Sequence, residues 1–159
     1  MYKLLLGLSL ALIGSHALAE TVNYRALNPK NALIYKSGSG AIKFSVITDP
    51  RCTACRDLER KLTKIDNITV NKYLVNYFDS AAYSQNIWCS ARRNQAYDNW
   101  MLYGIAPPPR SACKLPLNTN MIVAQSFNLR GTPMLIKPSG EVLYGSPPLG
   151  ELIAWINRR

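Results

Sequence analysis

What most constrains this chain is a pair of cysteines, Cys52 and Cys55, set where an apolar run stops and a helical pattern starts. Residues 41–48 (AIKFSVIT) are apolar and β-branched enough for a buried strand, and Asp49-Pro50 breaks that strand just before the first cysteine. From Cys52 onward the apolar residues Leu58, Leu62 and Ile65 recur at spacings of four and three. Arg56, Asp57, Glu59, Arg60, Lys61 and Lys64 fall mostly elsewhere, so Cys52 opens an amphipathic helix. Unpaired amide donors and the helix dipole favour an anion at a first turn, and the thiolate is the reactive form of cysteine. We therefore expect Cys52 to be an exposed nucleophile with a pKa below the free-cysteine value of about 8.5. Arg51 would add a positive neighbour if its side chain turned inward. Cys55, one turn later on the same side, would resolve a mixed disulfide formed on Cys52.

The remaining pattern extends this unit. Residues 68–75 (ITVNKYLV) read as a second strand, and residues 80–101 as a long helical region carrying Trp88 and Cys89. Residues 134–137 (MLIK), a Pro138-Ser139-Gly140 turn and residues 141–144 (EVLY) read as a hairpin. A C-terminal helix over residues 149–157 would turn Leu152, Ile153 and Ile156 inward, and residues 31–36 could supply an edge strand before the SGSG turn or linker at residues 37–40. Trp88, Trp100 and Trp155 sit at helical positions that suit a core, and Pro107-Pro108-Pro109 makes a rigid loop. The order strand, helix, strand, helices, strand, strand, helix is that of the thioredoxin fold. It is an α/β architecture, a central mixed sheet flanked by helices, with a helical insertion after the second strand.

Gly131-Thr132-Pro133 stands directly before the MLIK run. A proline there cannot donate to a sheet ladder, and a cis bond would leave the Thr132 backbone beside the thiols, free to pair with an extended peptide. Alone, this motif reads as an ordinary trans turn. A cysteine pair some eighty residues earlier at a strand–helix junction makes cis the expectation.

Residues 1–19 read as an export signal. Lys3 is followed by an apolar run of ten, residues 4–13, and Ala17-Leu18-Ala19 offers a cleavage site before Glu20. Ten residues reach about half the hydrocarbon thickness of a membrane, so a cleaved leader, a periplasmic product and no stable membrane insertion are expected. The expected organisation is a short N-terminal segment over residues 20–40 and one domain over residues 41–159. The chain has a net charge of +10. Its basic residues are scattered, which suits a solvated surface, and export argues against a nucleic-acid partner. The single histidine, His16, lies inside the signal, so the mature chain lacks imidazole and cannot be a Cys-His protease. A zinc site of four thiolates would need a second short-spaced couple, whereas Cys89 and Cys113 are far apart; neither metal nor cofactor is expected. A structural disulfide across Cys52 and Cys55 is the other alternative, although so small a loop removes little entropy from the unfolded chain.

Four stretches carry a resemblance: FSVITDPRCTACRDLERKL (residues 44–62), NIWCSARRNQAYDNWM (86–101), SACKLPLNTNMIVAQSFNLRGTPMLI (111–136) and SGEVLYG (139–145). From about residue 43 to its C-terminus, the chain resembles the periplasmic disulfide isomerases of the DsbC/DsbG type. The resemblance implies that Cys52 and Cys55 are the active dithiol, that Thr132 and Pro133 form a substrate-binding cis-proline loop, and that Cys89 and Cys113 are joined as a structural disulfide. Closing a loop of that length would stabilise by about 3.5 kcal/mol in the chain-entropy model; two free buried thiols are the alternative. The chain departs from the family in two respects. Thr53-Ala54 stands between the thiols where the family usually has an aromatic residue before the second cysteine, and only residues 20–40 precede the domain where those isomerases carry a dimerisation domain. A monomer is thus expected.

The function expected is exchange of disulfides with cysteine-bearing client proteins, with a membrane protein as redox partner. A dedicated periplasmic reductase serving a secretion or conjugation system and a non-catalytic peptide-binding module are the competing readings.

Overall fold

A computed structural model describes residues 20–158. The expected export signal, residues 1–19, lies outside the described residues. Five strands form one sheet in the order β1-β3-β2-β4-β5: β1 (Leu33–Lys36), β2 (Ile42–Thr48), β3 (Ile68–Leu74), β4 (Met134–Ile136) and β5 (Val142–Tyr144). β2 and β3 run parallel and every other neighbouring pair antiparallel, with Val46 opposite Lys72 on one side and Leu135 on the other. Helices α1 (Thr53–Leu62), α2 (Ala81–Trp88), α3 (Arg93–Tyr103), α4 (Leu117–Ser126) and α5 (Leu149–Asn157) flank it.

Alternation along β2 shows why that run is apolar throughout. Phe44 and Val46 face α1 and α5, packing with Leu58, Leu62, Leu152, Trp155 and Ile156, whereas Ile47 faces the other layer with Ala124 of α4 and Phe127 at its C-cap. Each such side chain contributes roughly 1.5–3 kcal/mol on full burial. A third cluster joins Cys52 and Cys55 to Ile87, Trp88, Tyr97 and Met101 of the helical insertion, so the dithiol is packed between α1 and that insertion.

Three details differ from the sequence reading. The helical region of residues 80–101 is two helices, broken at residues 89–92, where Cys89 turns into a disulfide and the Ser90 hydroxyl donates to the Asn86 carbonyl. Helix α4, with Leu117 and Ala124 inward, lies in a stretch for which no element was expected. On α5, Ile153 is 37% exposed, and Trp155 takes the inward place beside Leu152 and Ile156. The residues that face inward on α5 follow Leu149, Leu152 and Ile156 at spacings of three and four, which turns position 153 outward.

Candidate active site

The strand-to-helix junction is shaped by Asp49. Its side chain accepts from the amide of Arg51 at 2.8 Å and its backbone carbonyl accepts from the amide of Cys52 at 3.1 Å, which turns the chain after β2. Its other carboxylate oxygen accepts from the amides of Tyr77 and Phe78 and from the Ser80 hydroxyl, at 2.7, 2.9 and 2.8 Å. One fully buried carboxylate thereby ties the cysteine turn to the β3–α2 loop. The sequence shows Asp49-Pro50 only as a strand breaker. An aspartate leading a turn is the signal that marks it as an organiser.

Cys52 is the N-cap of α1, and its sulfur accepts from the amide of Cys55 at 3.2 Å. As a thiol it donates to the Thr132 carbonyl, also at 3.2 Å, across 80 positions of sequence. The Thr132–Pro133 bond is cis. Cys52 is held at about 6, lowered first by the Cys55 thiol beside it and further by the Thr132 hydroxyl and the amides of Cys55 and Ala54, against the opposing effect of burial. That hydroxyl has no hydrogen-bond partner among the described residues, which suits a donor reserved for a thiolate. Burial pushes the Cys55 thiol far up, so Cys55 keeps its proton while Cys52 ionises.

One expectation about this junction is corrected, and one condition is not met. Cys52 is not exposed: only 4% of its surface meets solvent, because the sulfur folds back over the first helical turn and the Thr132 loop lies across it. Arg51 does not turn inward either; its guanidinium donates to the Asp79 carbonyl at 3.3 Å. Both thiols are free, whereas Cys89 and Cys113 are joined, S–S 2.01 Å, tying the end of α2 to the loop before α4. The four sulfurs therefore fall into two separate couples.

Sequence reasoning missed the surroundings of the dithiol. Trp100 of α3 donates from its indole to the Pro50 carbonyl at 2.6 Å, stacks on Tyr83 and carries the Arg56 guanidinium 4.1 Å above its ring. Trp100 and Ala54, the position where the resembled family usually has an aromatic residue, both pack against the cluster that contains the dithiol. One turn below Cys55 on α1, Glu59 pairs with Lys72 at 2.6 Å and accepts from Tyr97 at 2.8 Å, all three buried. A lysine in the middle of an apolar strand is the signal for such a partner.

A family model described as a thioredoxin-like domain matches residues 29–159. The chain belongs to this thioredoxin-like family. It is 33% identical over 119 residues to the probable thiol:disulfide interchange protein DsbC of Bordetella pertussis, covering 74% of this chain and 42% of that one. With DsbC of Dickeya dadantii it shares 25% identity over 131 residues, 79% of this chain and 54% of the relative. The chain thus spans about half the length of these curated relatives or less. Among solved structures, a disulfide interchange protein from Neisseria gonorrhoeae superposes with a TM-score of 0.77 at 29% identity, covering 82% of this chain and 96% of that one. A periplasmic thioredoxin-like protein from Salmonella enterica serovar Typhimurium superposes at 0.66 and 15% identity, covering 86% and 96%, and shares the fold.

Proposed function

We propose that this thioredoxin-like chain exchanges disulfides with client proteins through Cys52 and Cys55. The Cys52 thiolate attacks one sulfur of a client disulfide, forming a mixed disulfide and releasing the other sulfur as a thiolate that takes a proton. Cys55 then gives up its proton and attacks the Cys52 sulfur, releasing the second client thiol and leaving a Cys52–Cys55 disulfide. The client gains two electrons and the dithiol loses two; run backwards, the same steps oxidise a client. Thr132 and Pro133 line the approach to the sulfur as the client-binding loop, and the Cys89–Cys113 disulfide is structural. The observation that carries this reading is geometric: the Cys52 sulfur caps α1, accepts from the Cys55 amide at 3.2 Å and meets the Thr132 carbonyl at 3.2 Å, an arrangement that lowers its pKa to about 6.

Insulin reduction and reactivation of scrambled ribonuclease test it. Cys52→Ala is expected to abolish both and Cys55→Ala to accumulate mixed disulfides, whereas unchanged activity of Cys52→Ala would overturn the reading in favour of a peptide-binding module. A thiolate stabilised this strongly favours the reduced couple, so its potential is expected above the roughly −270 mV of thioredoxin, on the oxidant and isomerase side. A lower value would assign it to a dedicated reductase.

The same proposal places the chain in the periplasm as a monomer released by cleavage after Ala19, its catalytic part spanning residues 41–159 with β1 added as the edge strand of the same sheet. A membrane redox partner would return the couple to its working state. The leader-like pattern of residues 1–19 supports export. Among the described residues no helix is long and apolar enough to cross a membrane.

A further inference from the structure

The β3–α2 loop carries two aromatic side chains that the fold leaves uncovered. Tyr77 is 41% exposed and Phe78 45%, and their rings meet edge to face with centroids 4.9 Å apart. The loop beneath them is pinned. Asp49 holds both amides and the Ser80 hydroxyl, and Asp79 completes the turn with a left-handed φ of 52°. The two backbone donors are thus already occupied, and what the loop presents outward is aromatic surface.

The loop that carries this pair is tied on both sides to segments that flank the dithiol. On one side the Asp79 carbonyl receives the guanidinium of Arg51, the residue before Cys52. On the other, the Tyr77 hydroxyl donates to the Arg130 carbonyl at 3.1 Å, two residues before Thr132, whose own carbonyl faces the Cys52 sulfur. Beyond it a shallow recess of about 330 Å³, lined by Arg130, Gly131, Thr132, Pro133, Tyr144 and Gly145, extends the same surface. Rigid aromatics held in place bind an apolar side chain at low entropic cost.

We infer that Tyr77 and Phe78 form an apolar anchor beside the dithiol, selecting client segments that carry a large apolar or aromatic side chain within a few residues of the reacting cysteine. The inference rests on the exchange reaction proposed above and adds its substrate class. Remote binding of this kind lowers the half-saturating concentration more than it raises the limiting rate.

The test uses the reduced protein and two short peptides, each with one cysteine held as a mixed disulfide with nitrothiobenzoate. The peptides are identical except that one has phenylalanine and the other serine two positions on either side of the cysteine. Attack by Cys52 releases coloured nitrothiobenzoate and leaves the peptide on Cys52; Cys55 then displaces the peptide thiol. The phenylalanine peptide is expected to half-saturate at a concentration about tenfold lower, with a similar limiting rate. The ratio should fall to about one in Tyr77→Ser/Phe78→Ser and survive in Phe78→Leu, which keeps an apolar side chain on the same backbone. Equal half-saturation of the two peptides by wild type, or a ratio that persists in the double serine variant, would overturn the anchor. So would sedimentation showing that the pair joins two copies of the chain, with selectivity unmoved when they separate. Absence of reaction with either peptide would instead sink the exchange reading itself.

Discussion

The chemistry of this molecule concentrates on one sulfur with opposing influences on it. Burial of Cys52 raises the cost of its thiolate, and the neighbouring thiol, the Thr132 hydroxyl and two amides of the first helical turn more than offset that cost. Cys55 has the burial without comparable compensation, so the same turn of helix holds one ionised and one protonated thiol. Alkylation of the reduced protein by iodoacetamide, followed by mass spectrometry, is therefore expected to modify Cys52 with a half-maximal rate near pH 6. Cys55 should stay unmodified across the range, and a midpoint near the ordinary value of about 8.5 would remove the electrostatic account.

Helix α1 carries a second arrangement one turn below the thiols. The Glu59–Lys72 pair bridges helix and strand, and Tyr97 of α3 closes it by donating to Glu59 and meeting the Thr48 hydroxyl at 3.2 Å. Burial, reinforced by the Glu59 carboxylate, holds the Tyr97 hydroxyl well above its ordinary range, so it remains a donor. Lys72→Met alone strands a buried carboxylate and is expected to cost about 3–5 kcal/mol in urea unfolding, while Glu59→Leu/Lys72→Met should recover most of that loss. A cost below about 1 kcal/mol for the single change would mean water reaches the pair. The insertion has its own tie, the Cys89–Cys113 disulfide, which closes a sequence separation of 24. Replacing both cysteines by alanine is expected to lower stability by about 3.5 kcal/mol through the unfolded chain, read from denaturant unfolding with midpoint and slope both fitted, because the uncrosslinked chain exposes more surface and steepens the slope.

For the folded chain as a whole, the ionisation of Cys52 becomes a dependence of stability on pH. The folded value, about 6, lies below the ordinary thiol value of about 8.5, so the stabilisation is fully present above that value and is lost as pH falls through 6. The described residues contain no histidine to obscure that window. Unfolding of the reduced protein should therefore gain free energy between about pH 6 and about 8.5, while Cys52→Ala and the oxidised form stay comparatively flat. Parallel curves for all three would show that the thiolate is not preferentially stabilised by the fold.

Much of this protein is legible from local pattern. The cysteines at a strand–helix junction, the amphipathic α1, the hairpin, the bounds of α5 and the proline before β4 all follow from periodicities and turn chemistry within a few residues, because which face is apolar is a property of neighbours along the chain. The encounters that make the site lie beyond that reach. The Thr132 carbonyl over a sulfur 80 positions away, Trp100 on the Pro50 carbonyl, Lys72 against Glu59 and one Asp49 carboxylate joining two loops are meetings of polar groups that periodicity cannot pair. Whether Cys52 is open or covered depended on them too. Exposure is set by whatever the rest of the chain lays across a residue, and no stretch of sequence around position 52 contains that information.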